Sequence, residues 1–227
     1  MGNRLTPFVA DQWYHCFNRG VDKRRTFMDV RDYERFLMLM YACNNAQAVH
    51  VSNFEQGIRS KRLSELLKKP REQQLVYFGA YSLMPNHYHM MLREKMDGGI
   101  SSFMRKLGTA YTMYFNIRHE RTGILFQGVF KSKHIDDDQY LSRVLSYIHA
   151  NHAELHEPKW KSGVIRNRIA LEKFLLEYRY SSLNDYTNIR AESTILDMQP
   201  VLEVAEVRPT LSELLKQARI YARETEE

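Results

Sequence analysis

Disulfide chemistry is the first thing this chain lacks. Its 227 residues hold two cysteines, Cys16 and Cys43, too few for a disulfide framework or a zinc-binding cysteine cluster, and free thiols suit a reducing cytoplasm. No apolar run is long enough to span a bilayer, the opening residues carry no secretory signal, and there is no internal repeat or low-complexity tract. Negative charge is in the minority: 33 Lys and Arg against 27 Asp and Glu leave a net charge of +6. The expectation is a cytoplasmic protein without membrane contact, built on one main hydrophobic core. The charge leans, weakly, towards a polyanionic partner.

The apolar and aromatic run Trp13 to Phe17 predicts a first strand, followed by a turn bearing Lys23, Arg24 and Arg25. Tyr33, Phe36, Leu37, Met40 and Tyr41 recur at helical spacing, so a helix opened by Asp29 or Asp32 is expected through Ala46. Residues 50–74 turn polar and basic and read as a short helical insertion. Two strands, 75–83 and 87–93, meet at Pro85-Asn86, where proline fixes a backbone angle and cannot donate to a ladder. A second helix is expected over 101–119, with Arg105 and Lys106 off its apolar side. Lys131, Lys133 and His134 then end a further strand. A third helix should start at Asp136 and run to Asn151. A closing helix is capped by Thr210, with Glu213 in the capping-box position and Leu211, Leu214, Leu215 and Ala218 inward.

The most informative stretch is Leu83-Met84-Pro85-Asn86-His87-Tyr88-His89-Met90-Met91-Leu92. Side chains alternate along a strand, so His87 and His89 share one face while Tyr88, Met90 and Leu92 share the other. Two ring nitrogens on one rigid strand make half of a metal site. On the third helix, Leu141, Val144, Leu145 and Ile148 form the apolar stripe, and Tyr140, Tyr147 and Asn151 run along its edge. Tyr147 and Asn151 are four residues apart and therefore neighbours, so an amide oxygen for a hard cation would stand beside a phenol able to act as nucleophile. His149 faces elsewhere on this reading, a surface or DNA-contacting side chain.

Several separated motifs in one order resemble the HUH tyrosine transposases, and among them the REP-associated, insertion-sequence-like single-strand transposases. They are Leu-Met-Pro-Asn-His-Tyr-His-Met, the helix Phe103 to Asn116, the run from Arg121 to Ser132, and Tyr147-Ile148-His149-Ala150-Asn151. The resemblance spans Trp13 to Ala153 and extends weakly to Tyr178-Arg179-Tyr180-Ser181-Ser182-Leu183. It implies an α+β, ferredoxin-like catalytic domain over residues 1–155, with an antiparallel sheet, packed helices and the basic insertion, and a partly helical C-terminal extension over 156–227. It also implies Tyr147 as nucleophile and His87, His89 and Asn151 as ligands of Mg²⁺ or Mn²⁺. Relatives often have Asn-Pro where this chain has Asn151-His152. Five residues after Tyr147, His152 points roughly 140° around the helix from the phenol, whereas Asn151 lies only about 40° away, which keeps Asn151 as the ligand. Tyr140, two turns upstream on the same edge, is the rival nucleophile.

The implied reaction is nicking and rejoining of single-stranded or hairpin DNA through a 5′-phosphotyrosine. Phosphate contacts are expected from Lys23, Arg24, Arg25, Arg105, Lys106, Lys131, Lys133 and His134. A homodimer is compatible with the resemblance, with the tyrosine working in its own subunit or in the partner. Two other readings use the same residues differently: a replication initiator or relaxase, and a catalytically silent DNA-binding regulator derived from a transposase.

Overall fold

The computed structural model describes residues 7–47, 73–188, 195–204 and 209–225. The insertion expected over residues 50–74 lies outside them except for Gln73 and Gln74. Four strands, β1 (Trp13–Arg19), β2 (Val76–Met84), β3 (His87–Glu94) and β4 (Lys131–Ile135), form one antiparallel sheet in the order β2-β3-β1-β4. Helix α1 (Val30–Cys43) joins β1 to β2, and α2 (Gly99–Arg118) joins β3 to β4. That βαββαβ order with β1 and β3 central is the ferredoxin-like arrangement expected above.

Alternation decides what each face of the sheet does. Tyr88, Met90 and Leu92 of β3 point towards α1 and α2: Phe36 meets Tyr88 with ring centroids 5.2 Å apart, and Phe78 meets Phe103 at the same separation. The opposite face is covered by α3 (Asp138–Ala150) and by the closing helix, α7 (Leu211–Thr225), which pack on each other and lie over β1 and β3. Between them in the chain come α4 (Arg168–Glu177), α5 (Leu183–Asn188) and α6 (Gln199–Leu202). A smaller apolar cluster around Trp160, Leu171, Leu175, Leu214 and Leu215 forms there, and Tyr147 packs against both clusters.

Local chemistry fixes the ends of these elements. Of the two acids expected to open α1, Asp29 is the cap, accepting from the Arg31 N–H. Asp32 is instead fully buried and held by Arg118, His119 and the Met28 N–H. For α3 the cap is Asp137, accepting from the Tyr140 N–H, and not Asp136. Thr210 accepts from the Glu213 N–H at 3.3 Å, but the Glu213 carboxylate turns to Gln217. Residues 178–182 and Asp197 cover the outer edge of β2: the Leu83 N–H donates to the Tyr180 carbonyl, the Ser182 N–H to that of Tyr81 and the Asp197 N–H to that of Phe78. An edge strand is thereby blunted.

The first turn of α2 begins where β3 ends, because Glu94, 1% exposed, accepts from the N–H groups of Gly99 and Ile100 at 3.1 and 2.8 Å. Gly99 also lies so close to Leu75 that a Cβ would overlap its carbonyl oxygen, a backbone atom with little room to move. Gly99→Ala is expected to lower the unfolding free energy by about 3 kcal/mol, read by urea denaturation. Gly108→Ala on the same helix, where a Cβ meets open space, should be neutral or stabilising.

Candidate active site

His87 opens β3 and His89 follows one alternation later, so both imidazoles leave the sheet on the face that α3 covers. Register extends this row across β1. Arg19 lies opposite His87 and Phe17 opposite His89, so His15, two residues before Phe17, shares the face. Helix α3 sets Tyr147 over the row: its ring stands edge-on to His89, with centroids 5.4 Å apart and planes at 87°, and lies 6.0 Å from His15. Asn151 follows directly as the first residue of a 3-10 turn, and its Oδ1 is 3.1 Å from His87 Nε2. One chain therefore brings His87, His89, Tyr147 and Asn151 together.

The neighbouring candidates separate by geometry. Tyr140 packs against Tyr221 at 5.6 Å, and among the described residues its ring meets neither His87 nor His89. His152 is buried and turned to the Leu175 carbonyl, 3.1 Å away, which leaves Asn151 as the amide facing His87. His149 departs from expectation. Far from being a surface side chain, it is 3% exposed and hydrogen-bonded to Ser182 Oγ at 3.0 Å, because segment 178–186 covers that side of α3.

Burial sets the charge of the histidine row. It pushes His87 down to about 4, with Arg19 adding to the effect, and His15 down to about 3, helped by Lys133. His89 is held well below the ordinary value of 6.5 by burial and then by His15 and His87. All three are neutral near pH 7, the form that ligates metal.

The hydrogen bonds also say which nitrogens carry protons. Asn86 Nδ2 donates to the Lys23 carbonyl, so its Oδ1 is the atom facing His87 Nδ1 at 2.7 Å. His87 Nδ1 is then the protonated nitrogen, and Nε2 turns a lone pair towards the Asn151 amide oxygen. Two acceptors facing each other repel unless a cation joins them or the amide turns. Two metal bonds of about 2.1 Å at right angles place their donors about 3 Å apart, which matches the 3.1 Å observed. His89 Nε2 has no hydrogen-bond partner among the described residues. The donor set of two imidazoles and one amide therefore fits a divalent ion. Among the described residues no group of three His, Cys, Asp or Glu is arranged to hold a metal, so the site depends on that amide.

The family described as "Transposase IS200 like" matches residues 45–151. The match covers just under half of the chain, which over those residues is similar to the IS200-like transposases. The matched stretch contains both β3 histidines and Tyr147 and ends on Asn151, while His15 and α7 lie outside it. The fold is similar to that of a REP-associated tyrosine transposase solved bound to a REP hairpin, with 12% identity, TM-score 0.51, and coverage of 84% of this chain and 87% of that one. None of the curated protein sequences matches this chain.

The cationic side chains named for DNA contact divide between the two faces of the sheet. Lys23, Arg24 and Arg25 are exposed and follow the end of β1 beside His87. Lys131 and Lys133 lie opposite Phe17 and His15, on the histidine face. His134 points the other way, 5.1 Å from the Tyr14 ring. Arg105 and Lys106 sit on α2, behind the sheet, and Lys106 Nζ donates to the carbonyls of Asn45 and Ala46. Two cations nearer the site carried no motif: Arg19, opposite His87 in the ladder, and Lys161, whose Nζ lies 5.8 Å from the centre of the Tyr147 ring. His15 was legible only through its alternation with Phe17. Tyr221, hydrogen-bonded to His15 from 206 residues away, had no signal beyond its place on the inward stripe of α7.

Acid should destabilise the metal-free protein early. His15 and His149 are lowered to about 3 and His87 and His152 to about 4, all mainly by burial, so below the unfolded value of 6.5 the unfolded chain binds more protons. Stability falls with falling pH at about 1.4 kcal/mol per pH unit for each such histidine. Asp185, raised to about 6 by burial, opposes one of them, since the stability it adds is full below pH 3.8 and lost as pH rises through 6. The net expectation is a melting temperature that drops steeply from pH 6.5 to 5, measured by calorimetry. A flat profile across that range contradicts the neutral buried row.

Proposed function

We propose that this chain nicks and rejoins single-stranded DNA, using Tyr147 as nucleophile and forming a covalent 5′-phosphotyrosine. The observation that carries the reading is the placement of the Tyr147 ring against His89, with Asn151 facing His87, inside a single chain. Because all four side chains come from one subunit, the tyrosine acts in cis and a second copy is not needed to complete the site.

His87 Nε2, His89 Nε2 and Asn151 Oδ1 would hold Mg²⁺ or Mn²⁺. Such an ion supplies Lewis-acid stabilisation of the charge on the non-bridging phosphate oxygens. The residues themselves do the rest. The Tyr147 phenol attacks the phosphorus as its proton passes to water; the Tyr147 Oη–phosphorus bond forms and the bond to the 3′ oxygen breaks. That oxygen takes a proton and leaves as a 3′-hydroxyl. The phosphotyrosyl ester keeps the energy of the broken bond, so another 3′-hydroxyl can rejoin without ATP. Lys161 beside the ring favours negative charge on the phenol oxygen. Lys23, Arg24, Arg25, Arg19, Lys131 and Lys133 surround the histidine face and suit a polyanionic strand. A hairpin is the first substrate to try, because the solved REP-associated relative holds one. A DNA substrate and free thiols at Cys16 and Cys43 suit an activity in the reducing cytoplasm.

Purified protein, hairpin oligonucleotides with single-stranded flanks and Mn²⁺ should give a slowly migrating covalent band on a denaturing gel. Tyr147→Phe should lower its formation at least ~10³-fold, while Tyr140→Phe still accumulates it. An adduct that survives Tyr147→Phe removes the assignment, and DNA binding without adduct across a broad substrate panel sinks the enzyme reading in favour of a silent regulator. Two nitrogen ligands favour Mn²⁺ over Mg²⁺, which takes mostly oxygen. The reaction is accordingly expected to reach half-maximal rate at lower Mn²⁺ than Mg²⁺.

A further inference from the structure

The row of polar side chains does not stop at the metal ligands. His89 Nδ1 lies 2.8 Å from His15 Nε2, and His15 Nδ1 lies 2.6 Å from the Tyr221 hydroxyl. The Tyr221 ring in turn packs against that of Tyr140, with centroids 5.6 Å apart, and Tyr140 lies nearer the surface. His15 is 2% exposed, His89 7% and Tyr221 1%, so water does not replace these partners.

We propose that His15 and Tyr221 are positioning residues that hold His89 in the tautomer whose Nε2 is free to bind a divalent metal; this rests on the metal reading given above. A contact between two imidazole nitrogens contains one proton. If that proton is on His89 Nδ1, His89 Nε2 keeps its lone pair for a metal. His15 Nε2 then accepts, so His15 Nδ1 carries a proton and donates to the Tyr221 oxygen, a hydroxyl that can accept as well as donate. If the proton is on His15 Nε2, every bond in the chain reverses, and His89 Nε2 carries a hydrogen that blocks a metal. Ligating histidines generally donate their second ring nitrogen to such an outer partner, which fixes both orientation and basicity. Here the outer partner is a third histidine from β1, and its support comes from the last helix of the chain.

The test has one readout without metal and one with it. Proton–nitrogen NMR of histidine-labelled, metal-free wild-type protein should show His89 protonated at Nδ1 and bare at Nε2; the reverse tautomer overturns the inference. Calorimetric titration with MnCl₂ should then give a Kd raised about 10- to 100-fold in His15→Phe and in Tyr221→Phe, and within about threefold of wild type in His15→Gln, whose amide oxygen can still accept from His89 Nδ1. Circular dichroism checks that each variant is folded. Should His15→Phe not fold, Tyr221→Phe and the wild-type tautomer still decide. Wild-type protein that binds Mn²⁺ while both truncations bind it equally well overturns the inference alone. Wild-type protein that binds no Mn²⁺ overturns it together with the metal reading.

Discussion

The two-residue repeat of β3 is the constraint on which the site rests. One strand has to hold Tyr88, Met90 and Leu92 against α1 and α2 and, on its other face, hold His87 and His89 under α3. A shift of one residue in its pairing would exchange the faces, placing imidazoles in the hydrocarbon core and a phenol and thioether at the site. The apolar half of the strand resists that shift with several buried side chains, so packing energy is what fixes the chemistry. The Pro85-Asn86 turn anchors the same register, since the Pro85 carbonyl accepts from Thr26 and Phe27 and the Asn86 carbonyl from Gly20.

Burying a polar row is tolerable only if each member has a partner. This requirement explains why the C-terminal part of the chain reaches back to the sheet. His15 Nδ1 would lose its partner without Tyr221, and His149 Nε2 without Ser182. The helix that carries Tyr221 also packs along α3 and so presses Tyr147 towards His89. The fold, the partners of the buried histidines and the orientation of Tyr147 are thus served by one docking surface, formed by residues distant in sequence.

What could be read in the sequence follows the range of the forces involved. Strand alternation and the helical stripe of α3 act over a few residues, and they located His87, His89, Tyr147 and Asn151 on the right elements and edges. The start of α3 was misplaced by one residue because three successive aspartates are all competent caps and only the loop geometry chooses Asp137. His149 is buried against its sequence pattern because α3 is covered on a second side by segment 178–186, a contact no local periodicity contains. Arg105 and Lys106 could be seen to lie off the apolar stripe of α2, but which face of the sheet α2 occupies is set by the right-handed path of the chain, which local pattern does not contain. Contacts such as His15 with Tyr221 have no local signature at all.

The electrostatic design is coherent once the site is taken with its surroundings. Two neutral imidazoles and an amide bring no charge to a divalent ion, and Arg19, Lys133 and Lys161 add positive charge close by. Such a set is poorly suited to holding a cation on its own and well suited to holding one together with a polyanion. Burial does more than the cations to keep the histidines unprotonated, so the row can stay neutral inside a positive field without needing that field. A carboxylate ligand would bind the ion more tightly but would repel the strand. On the proposed reading the amide of Asn151 would give up affinity for the ion and leave the phosphate to complete the charge balance, coupling occupancy of the site to the presence of substrate.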